Sequence, residues 1–521
     1  PLNFQTTPVI AVIFLLATKT TSGSDVRHGV VGENGIQPLN IMALFISLAY
    51  LSVSLDATGL FRFLAFWVAK KGGSSGRRLY ILLYVFFFVS GVIFGNDPVI
   101  LSGTPFLAYF TRVSGIVPPT AWIYAQFSVA NIASAILPPS NPTNLVVSGA
   151  FSISFLSYIA HTVLPTLAAA VLILPLLIFW LFRSPEMIPP QIDIMEIDDF
   201  DTNNDRSHRP ELLSLTDKEG AIFGSVLFCV TLTVLVGTSP LKLPVWEITM
   251  PPAIIMLFRD VLHDIRKSTS QKTILAAAAT ADTEAPTELS TSRTTAIALQ
   301  SPVEQGPYTI QAEASQVPIR RTRFFSILAR FRAERFPTLS TVIPRLPISL
   351  VPFALCMFII VQTLTSRGWV EVFANWWKAW IYVCSKGGSS ATVVGAVCGM
   401  LIASTLLCNL CGTNIGTTIL LARVLQVWLE PSASLDSNSN ASIDPRVRLG
   451  SIYALAIGTN FGALTFTFSA SLAGLLWRGI LRQKGITVHQ WQFAVTNLPI
   501  VLVAVGTAGA VLIGEVFIIA R

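Results

Sequence analysis

Lys71-Gly72-Gly73-Ser74-Ser75 recurs 315 residues later as Lys386-Gly387-Gly388-Ser389-Ser390. This pair decides how the chain is read. An aromatic segment precedes each turn, opened by Gly59 or Gly368. An apolar run interrupted at an Asn follows each, at Asn96 or Asn409. A second interrupted run comes next, marked by Asn131 and Asn460. These matches have offsets of 309, 313 and 329, and the last jump is accounted for by a polar insertion at 428–448. A single Gly/Ser turn recurs by chance. Four matches in one order at near-constant spacing read as a duplication.

Composition sets the environment. The 521 residues are 52% hydrophobic and 12% charged, with a mean hydropathy of +0.64. A soluble chain carries about 25% charged residues, so a soluble enzyme is excluded. The same numbers exclude a disordered chain and a disulfide scaffold, since all six cysteines lie in or beside apolar runs. Long apolar segments rich in Gly and Pro point to helices; a barrel would need short alternating segments. The net charge of +7 is unevenly placed, with 34 of the 63 charged residues in 183–219 and 259–345. The first of these loops is acidic and the second basic. Basic loops here fit the positive-inside rule better than nucleic-acid binding.

Spans need ~20 apolar residues. They are predicted at about 38–55, 79–110, 120–150, 158–182, 220–237, 244–258, 346–365, 391–427, 449–477 and 490–518, four of them interrupted. Residues 8–18 form a shorter apolar run, read as a first helix in preference to a signal sequence. The aromatic segments 60–69 and 369–383 have the amphipathic pattern of interfacial helices. Residues 187–217 and 265–320 read as disordered loops. The division is a first membrane repeat at 1–182, an acidic cytosolic loop at 183–219, connecting helices at 220–258, a long cytosolic loop at 259–345 and a second membrane repeat at 346–521.

If the first interrupted run of each half is a re-entrant hairpin, five crossings separate the two Lys-Gly-Gly-Ser-Ser turns. An odd number puts the turns on opposite faces, so the repeats are inverted, a common transporter architecture. The basic residues near the membrane favour the first turn inside. Asn440-Ala441-Ser442 then falls outside, with the pattern of a glycosylation acceptor.

Four backbone breaks lie at membrane depth. They are Gly95-Asn96-Asp97-Pro98, Pro138 to Asn144, Cys408 to Asn414, and Thr459 to Gly462 continuing to Ser469-Ala470-Ser471. Broken backbone is tolerated there only where protein or a polar cavity covers it. Half-helix N-termini favour electron-rich oxygens. Pro and Gly can merely kink helices, but four symmetric breaks favour a shared polar site. The substrate-binding candidates are Asn96, Asp97, Ser140, Asn141, Thr143, Asn144, Asn409, Thr413, Asn414, Asn460, Ser469 and Ser471.

Asp97 is the one acid at any break, and Leu410 matches it in the second half. An intramembrane carboxylate points to function, and Asp97 is the candidate for proton coupling; capping the helix behind it is the competing role. Asp56 and Glu371 near segment ends suit anchoring or capping. Glu247 and Glu515 are assigned to peripheral helices, and His161 to the interface. Cys408 and Cys411 form a CxxC, but a carrier must release its cargo, so small apolar packing is the better reading. The sequence contains no P-loop, zinc-peptidase or hydrolase motif, and neither a metal site nor a cofactor is expected.

At the breaks the sequence resembles the arsenical pump permeases and citrate-carrier-like proteins of the ion transporter superfamily. The carrying stretches are GNDPVILSGTP at 95–105, PPSNPTNLVVSGAF ending at Phe151, CNLCGTNIG at 408–416 and GTNFGALTFTFSASLAGLLWRGILRQKGI at 458–486. The resemblance covers about 39–182 and 346–500. It implies two hairpins and two broken helices around a substrate, with Asn96 and Asp97 at a hairpin tip and Asn141 and Asn144 in an Asn-x-x-Asn pattern. The arsenite permeases carry an acid where Asn460 stands, and Gly-Pro-Lys where this chain has Gly462-Ala463-Leu464. It also implies a homodimer.

The expected function is secondary transport of a small inorganic oxyanion or arsenite-type metalloid by alternating access, driven by a proton gradient, with sodium as the other coupling ion considered. A carboxylate carrier is the alternative, and a channel or non-transporting scaffold the third reading. The expected partners are the lipid bilayer and the small anion or metalloid. The plasma membrane is the expected location, ahead of a vacuolar membrane.

Overall fold

Without water at membrane depth, backbone N–H and C=O groups must pair within the chain, and a helix pairs them within one segment. The computed structural model, which describes residues 6–33, 36–192, 215–241, 244–281, 336–348, 350–430 and 443–519, is helical throughout. Among the described residues the only extended pairings are two isolated bridges, Glu33–Ile36 and Ser75–Gln191.

Two helices lead in, α1 (Thr6–Ala17) and α2 (Gly23–Val31). The first repeat follows as α3 (Pro38–Ala57), α4 (Leu60–Gly72), α5 (Gly76–Phe94), α6 (Asn96–Val113), α7 (Thr120–Ala133), α8 (Pro142–Ala150) and α9 (Phe155–Pro175), which a π-helical segment extends over Leu176–Leu181. Connecting helices are α10 (Lys218–Gly237), α11 (Val245–Ala281) and the short α12 (Pro337–Val342). The second repeat is α13 (Leu350–Ser366), α14 (Trp369–Ser385), α15 (Ser389–Leu407), α16 (Asn414–Leu429), α17 (Pro445–Phe461), α18 (Leu472–Gln483) and α19 (Gln490–Ile519). Thus α3–α9 recur in order as α13–α19. That recurrence is the two-repeat architecture read from the sequence.

Seven helical stretches among the described residues are long and apolar enough to cross a membrane. The sequence suggests about ten. The difference lies mainly in the broken runs, which resolve into paired short helices, 14 and 9 residues for α7 and α8, and 17 and 12 for α17 and α18.

The chain forms two compact units, Pro1–Met256 with Arg345–Arg521, and Leu257–Pro344. In the second unit the Asp264 carboxylate accepts the amides of Thr338 (3.0 Å) and Leu339 (3.1 Å), which begin α12. Helix α11 runs on to Ala281, so 265–281 is helical and not part of a loop. The Asn440 acceptor pattern, 193–214 and 282–335 lie outside the described residues.

Local chemistry sets the helix boundaries. Gly59 (φ 86°) and Gly368 (φ 78°) are left-handed, and each turns the chain from a spanning helix into an aromatic one. Trp376 and Tyr382 of α14 are exposed, as an interfacial helix requires. Asp444 caps α17, accepting the Arg446 amide at 2.9 Å. Hydrogen bonding and charge from Arg446 hold its carboxyl below the usual value.

Small residues let helices approach closely. A Cβ on Gly91 of α5 would lie 2.9 Å from the Ala133 Cβ of α7, and one on Gly458 of α17 would lie 3.0 Å from the Leu401 carbonyl oxygen of α15. An aromatic cluster then joins the repeats. Phe127 of α7 lies 4.7 Å from Trp477 of α18, and Phe468 lies 4.3 Å from Phe493 of α19, between ring centroids.

Gly458→Val will force α17 away from backbone that cannot rotate aside, lowering stability by about 1–3 kcal/mol. Gly479 of α18 has open space around it, so Gly479→Ala will hold or raise stability. Thermal unfolding of the purified variants in detergent checks both.

Candidate functional site

Each repeat breaks its second interrupted run in the same way. A helix ends, a short 3-10 turn follows (Pro138–Ser140 or Phe468–Ala470), and a half-helix restarts behind a polar cap. Asn141 caps α8 by accepting the Thr143 amide at 3.2 Å. Ser471 caps α18 by accepting the Gly474 amide at 2.9 Å. Both satisfy amides that a helix start leaves without a partner. The equivalent positions are offset by 330.

The two breaks meet through side-chain amides. Asn460 Nδ2 donates to Asn144 Oδ1 at 2.6 Å and to the Ala456 carbonyl at 2.8 Å. Ser134 Oγ donates to Asn460 Oδ1 at 3.3 Å. Asn144 Nδ2 in turn donates to the Ser134 and Leu137 carbonyls, at 2.7 and 2.8 Å. These are carbonyls freed where α7 ends. Thr143 Oγ1 lies 3.4 Å from Asn144 Oδ1. The first hairpin joins through Asn96 Nδ2, which donates to Asn131 Oδ1 at 3.1 Å. Ser140 Oγ donates to the Val92 carbonyl at 2.7 Å, stapling the break to the end of α5. Asn131, Ser134, Asn144 and Asn460 are fully buried.

A second cluster forms at the other hairpin tip. Asn409 Nδ2 donates to Thr465 Oγ1 at 2.9 Å, and Asn409 Oδ1 accepts the Thr467 amide at 3.1 Å and its hydroxyl at 3.0 Å. Ser469 Oγ donates to Thr467 Oγ1 at 3.1 Å. This tip is more open than the first, with Leu410 80% exposed.

The twelve candidates therefore separate. Asn96, Asn144 and Asn460 share one network, which Thr143 flanks, while Ser140 and Asn141 fix its frame. Asn409 and Ser469 form the second cluster. Thr413 and Ser471 are caps; Thr413 Oγ1 receives the Gly416 amide at 3.5 Å. Asn414 is buried at the first position of α16.

That position revises the pairing of the hairpins. Helices α5 and α15 are both 19 residues long, at an offset of 313. Helices α6 and α16 start at Asn96 and Asn414, an offset of 318. The second tip carries five more residues. Asn414, and not Asn409, thus stands where Asn96 stands, and Ile415, not Leu410, stands opposite Asp97.

Asp97 lies half-buried in the first turn of α6, which has no side-chain cap. Among the described residues its carboxylate has no hydrogen-bond or ion-pair partner. Asp56 ties the end of α3 to its neighbours. It is buried at the end of α3, receives the Ser102 hydroxyl of α6, and pairs with Arg345 at 3.3 Å. Glu371 and Glu247 are exposed. His161 is buried, its ring 4.6 Å from that of Tyr453, and not interfacial. Glu515 is likewise buried, with Oε2 unpartnered. In both cases close packing of α9, α17 and α19 encloses what an isolated apolar run left at the surface. Cys408 is buried, its thiol donating to the Ser404 carbonyl at 3.1 Å, and both CxxC cysteines are free. Among the described residues no group of acids, His and Cys has metal-ligand geometry.

Sequence reading missed Ser134, Thr465, Thr467 and Arg423. Thr465, Thr467 and Ser469 alternate through an extended stretch, a period-two signal beside the break. Arg423 is a lone base inside the apolar run ILLARVLQVW.

The model of the family described as citrate transporter matches residues 6–448. The chain belongs to the citrate transporter family. That family is described as one of transporters, and the apolar helices of this chain are those of a multi-pass membrane protein. An arsenical pump membrane protein of Escherichia coli is 29% identical over 157 residues, which is 30% of this chain and 36% of that protein. The 46 kDa membrane protein of Mycobacterium leprae is 25% identical over 177 residues, 33% of this chain and 40% of the relative. The chain thus matches less than half the length of these curated relatives. The YdaH transporter of Alcanivorax borkumensis, solved by crystallography, shares the fold with a TM-score of 0.50 at 11% identity, over 92% of this chain and 85% of that one.

Asn460→Ala will leave Asn144 Oδ1 without its 2.6 Å donor, while the Ser134 hydroxyl keeps the Asn131 carbonyl, at a cost of about 1–3 kcal/mol. A double-mutant cycle with Asn144→Ala will return a coupling of about 0.5–3 kcal/mol. Unfolding titrations of the three variants measure it. Additive losses would show that the inter-repeat bond contributes nothing.

Proposed function

We propose that the chain is a secondary active transporter for a small oxygen-bearing solute, a metalloid hydroxide or inorganic oxyanion. It works by alternating access and couples transport to protons through Asp97. The observation that carries this reading is the bond between the two broken helices, Asn460 to Asn144, with the first hairpin attached through Asn96 and Asn131. Amides, hydroxyls and half-helix ends are the donors and acceptors that a hydroxylated solute needs. The network is fully buried, so a solute reaches it only when the hairpins and broken helices separate. Its groups pair with one another when closed and with solute when parted. Transport proteins of inverted-repeat design move in this way.

Asp97 suits the coupling role by position. It stands one residue from the network member Asn96, at a half-helix start, with no partner among the described residues. A carboxylate so placed can gain and lose a proton without breaking an ion pair. The family description as citrate transporter favours a second reading, in which the solute is a carboxylate. The arsenical pump relatives favour the metalloid. The plasma membrane is the proposed location.

Uptake into proteoliposomes of radiolabelled arsenite, citrate, succinate and phosphate, with and without pH and sodium gradients, tests this. One solute class will accumulate when a pH gradient is imposed. Asp97→Asn will lower that uptake about tenfold or more and remove its pH-gradient dependence, while Asp97→Glu keeps part of both. Full proton-driven uptake by Asp97→Asn would remove the coupling role. Flux at channel rates, indifferent to gradients, would remove the transporter reading.

A further inference from the structure

Helix α16 carries the one buried Lys or Arg side chain among the described residues. Arg423 is 7% exposed, in a helix that is otherwise apolar between Thr418 and Leu429 except for Gln426. Placing a guanidinium there is strongly unfavourable unless its charge is matched. The protein groups that meet it are neutral. Nη1 donates to Gln426 Oε1 at 3.1 Å, and Nη2 donates to Gln362 Oε1 at 3.3 Å. No carboxylate among the described residues lies within ion-pair distance.

Two described acids act on Arg423 from beyond ion-pair distance, Glu33 and Glu430, and Glu33 is held one step away. Glu33 Oε2 accepts from Gln362 Nε2 at 2.7 Å and lies 3.4 Å from His28 Nδ1. Gln362 therefore stands between the charges, its nitrogen toward Glu33 and its oxygen toward Arg423. Around them, α2, α13 and α16 leave a narrow pocket of about 10 Å³, lined by His28, Glu33, Gln362, Ile419 and Arg423 among others, which a polyatomic anion can enter only when Glu33 moves aside. The Glu33 side chain is 39% exposed, so the acid sits on the open side and the guanidinium on the closed side.

We infer that this pocket is an anion-binding site, with Arg423 as its charge and a carboxylate or oxyanion as its ligand. Among the described residues no acceptor takes up the remaining guanidinium N–H groups, and its planar fork fits two oxygens of one anion. Gln362 and His28 offer flanking donors once Glu33 is displaced. Glu33 is then the built-in competitor, a carboxylate of the chain that covers the site when no anion fills it.

The pocket is tied to the asparagine network. Gln426, the partner of Arg423, donates to the Ala150 carbonyl at 2.7 Å, at the end of α8. Asn144 stands near the other end. The half-helix has 9 residues, so its two ends lie about 13 Å apart. An anion at Arg423 is therefore one half-helix from the network. The inference rests on the charge and geometry of the pocket and not on the transport reading above.

Equilibrium binding of radiolabelled citrate and inorganic phosphate to the purified full-length protein in detergent tests it. The protein will bind at least one probe saturably. Arg423→Gln will weaken that binding about tenfold or more, and Arg423→Lys, which keeps the charge and loses the fork, will fall between. Glu33→Gln will tighten it severalfold. Unchanged binding in a monodisperse Arg423→Gln protein places the anion elsewhere and overturns the inference, as does a native protein that binds neither probe. If Arg423→Gln fails to fold, Glu33→Gln decides: tighter binding supports the site, and unchanged or weaker binding overturns it.

Discussion

A helix broken inside a bilayer frees carbonyls and amides that water cannot reach, and each must find a partner in the protein. The rest of this structure depends on how that is met. Asn144 donates to the two carbonyls released where α7 ends. Asn141 and Ser471 each take an amide where a half-helix restarts. Having used its nitrogen on its own break, Asn144 has an oxygen left over, and Asn460 of the other repeat supplies the donor. The repair of one break is thus completed by the other. The two repeats are held at their centre by the groups that make breaking tolerable.

The solution constrains motion as well as stability. A bond between buried amides is worth little in net terms while both partners are paired, but leaving either unmatched is expensive. In the proposed transporter, the closed arrangement and one with solute inserted would both keep the partners satisfied. An arrangement parted with nothing inserted would not. This gives a physical reason for a solute-bearing protein to change state more readily than an empty one, a requirement of coupled transport.

Much of the fold was legible because its signals are local. Apolar runs of membrane length, a turn repeated 315 residues on, and Asn beside Pro and Gly are all read along the chain. The helix order of both repeats followed from these. The site was legible in part, since Asn96, Asn144 and Asn460 announce themselves by sitting in breaks. Two things were not. The hairpin pairing was set at the wrong residue, because an Asn at the tip, Asn409, masked the five-residue difference between the tips. The surroundings of Arg423, His161 and Glu515 were also hidden. Burial on a helix depends on which neighbour covers each face, and no spacing within one helix encodes that. Arg423 became readable only when α2 and α13 were seen against α16.

The repeats match in backbone and differ in charge, and that difference has consequences. At the offset of 318 that aligns the hairpin helices, Asp97 of α6 corresponds to Ile415 of α16, and Arg423 of α16 to Pro105 of α6. One hairpin carries an acid at its tip and the other a base farther along its helix. Two identical inverted repeats would exchange roles between inward-open and outward-open states of equal energy. With an acid in one and a base in the other, the states are inequivalent. Protonating a group on one hairpin, or neutralising a charge on the other with an anion, shifts the balance in a direction the backbone alone does not set. In the proposed transporter, the repeated skeleton would supply two states and the unsymmetric charges the bias between them.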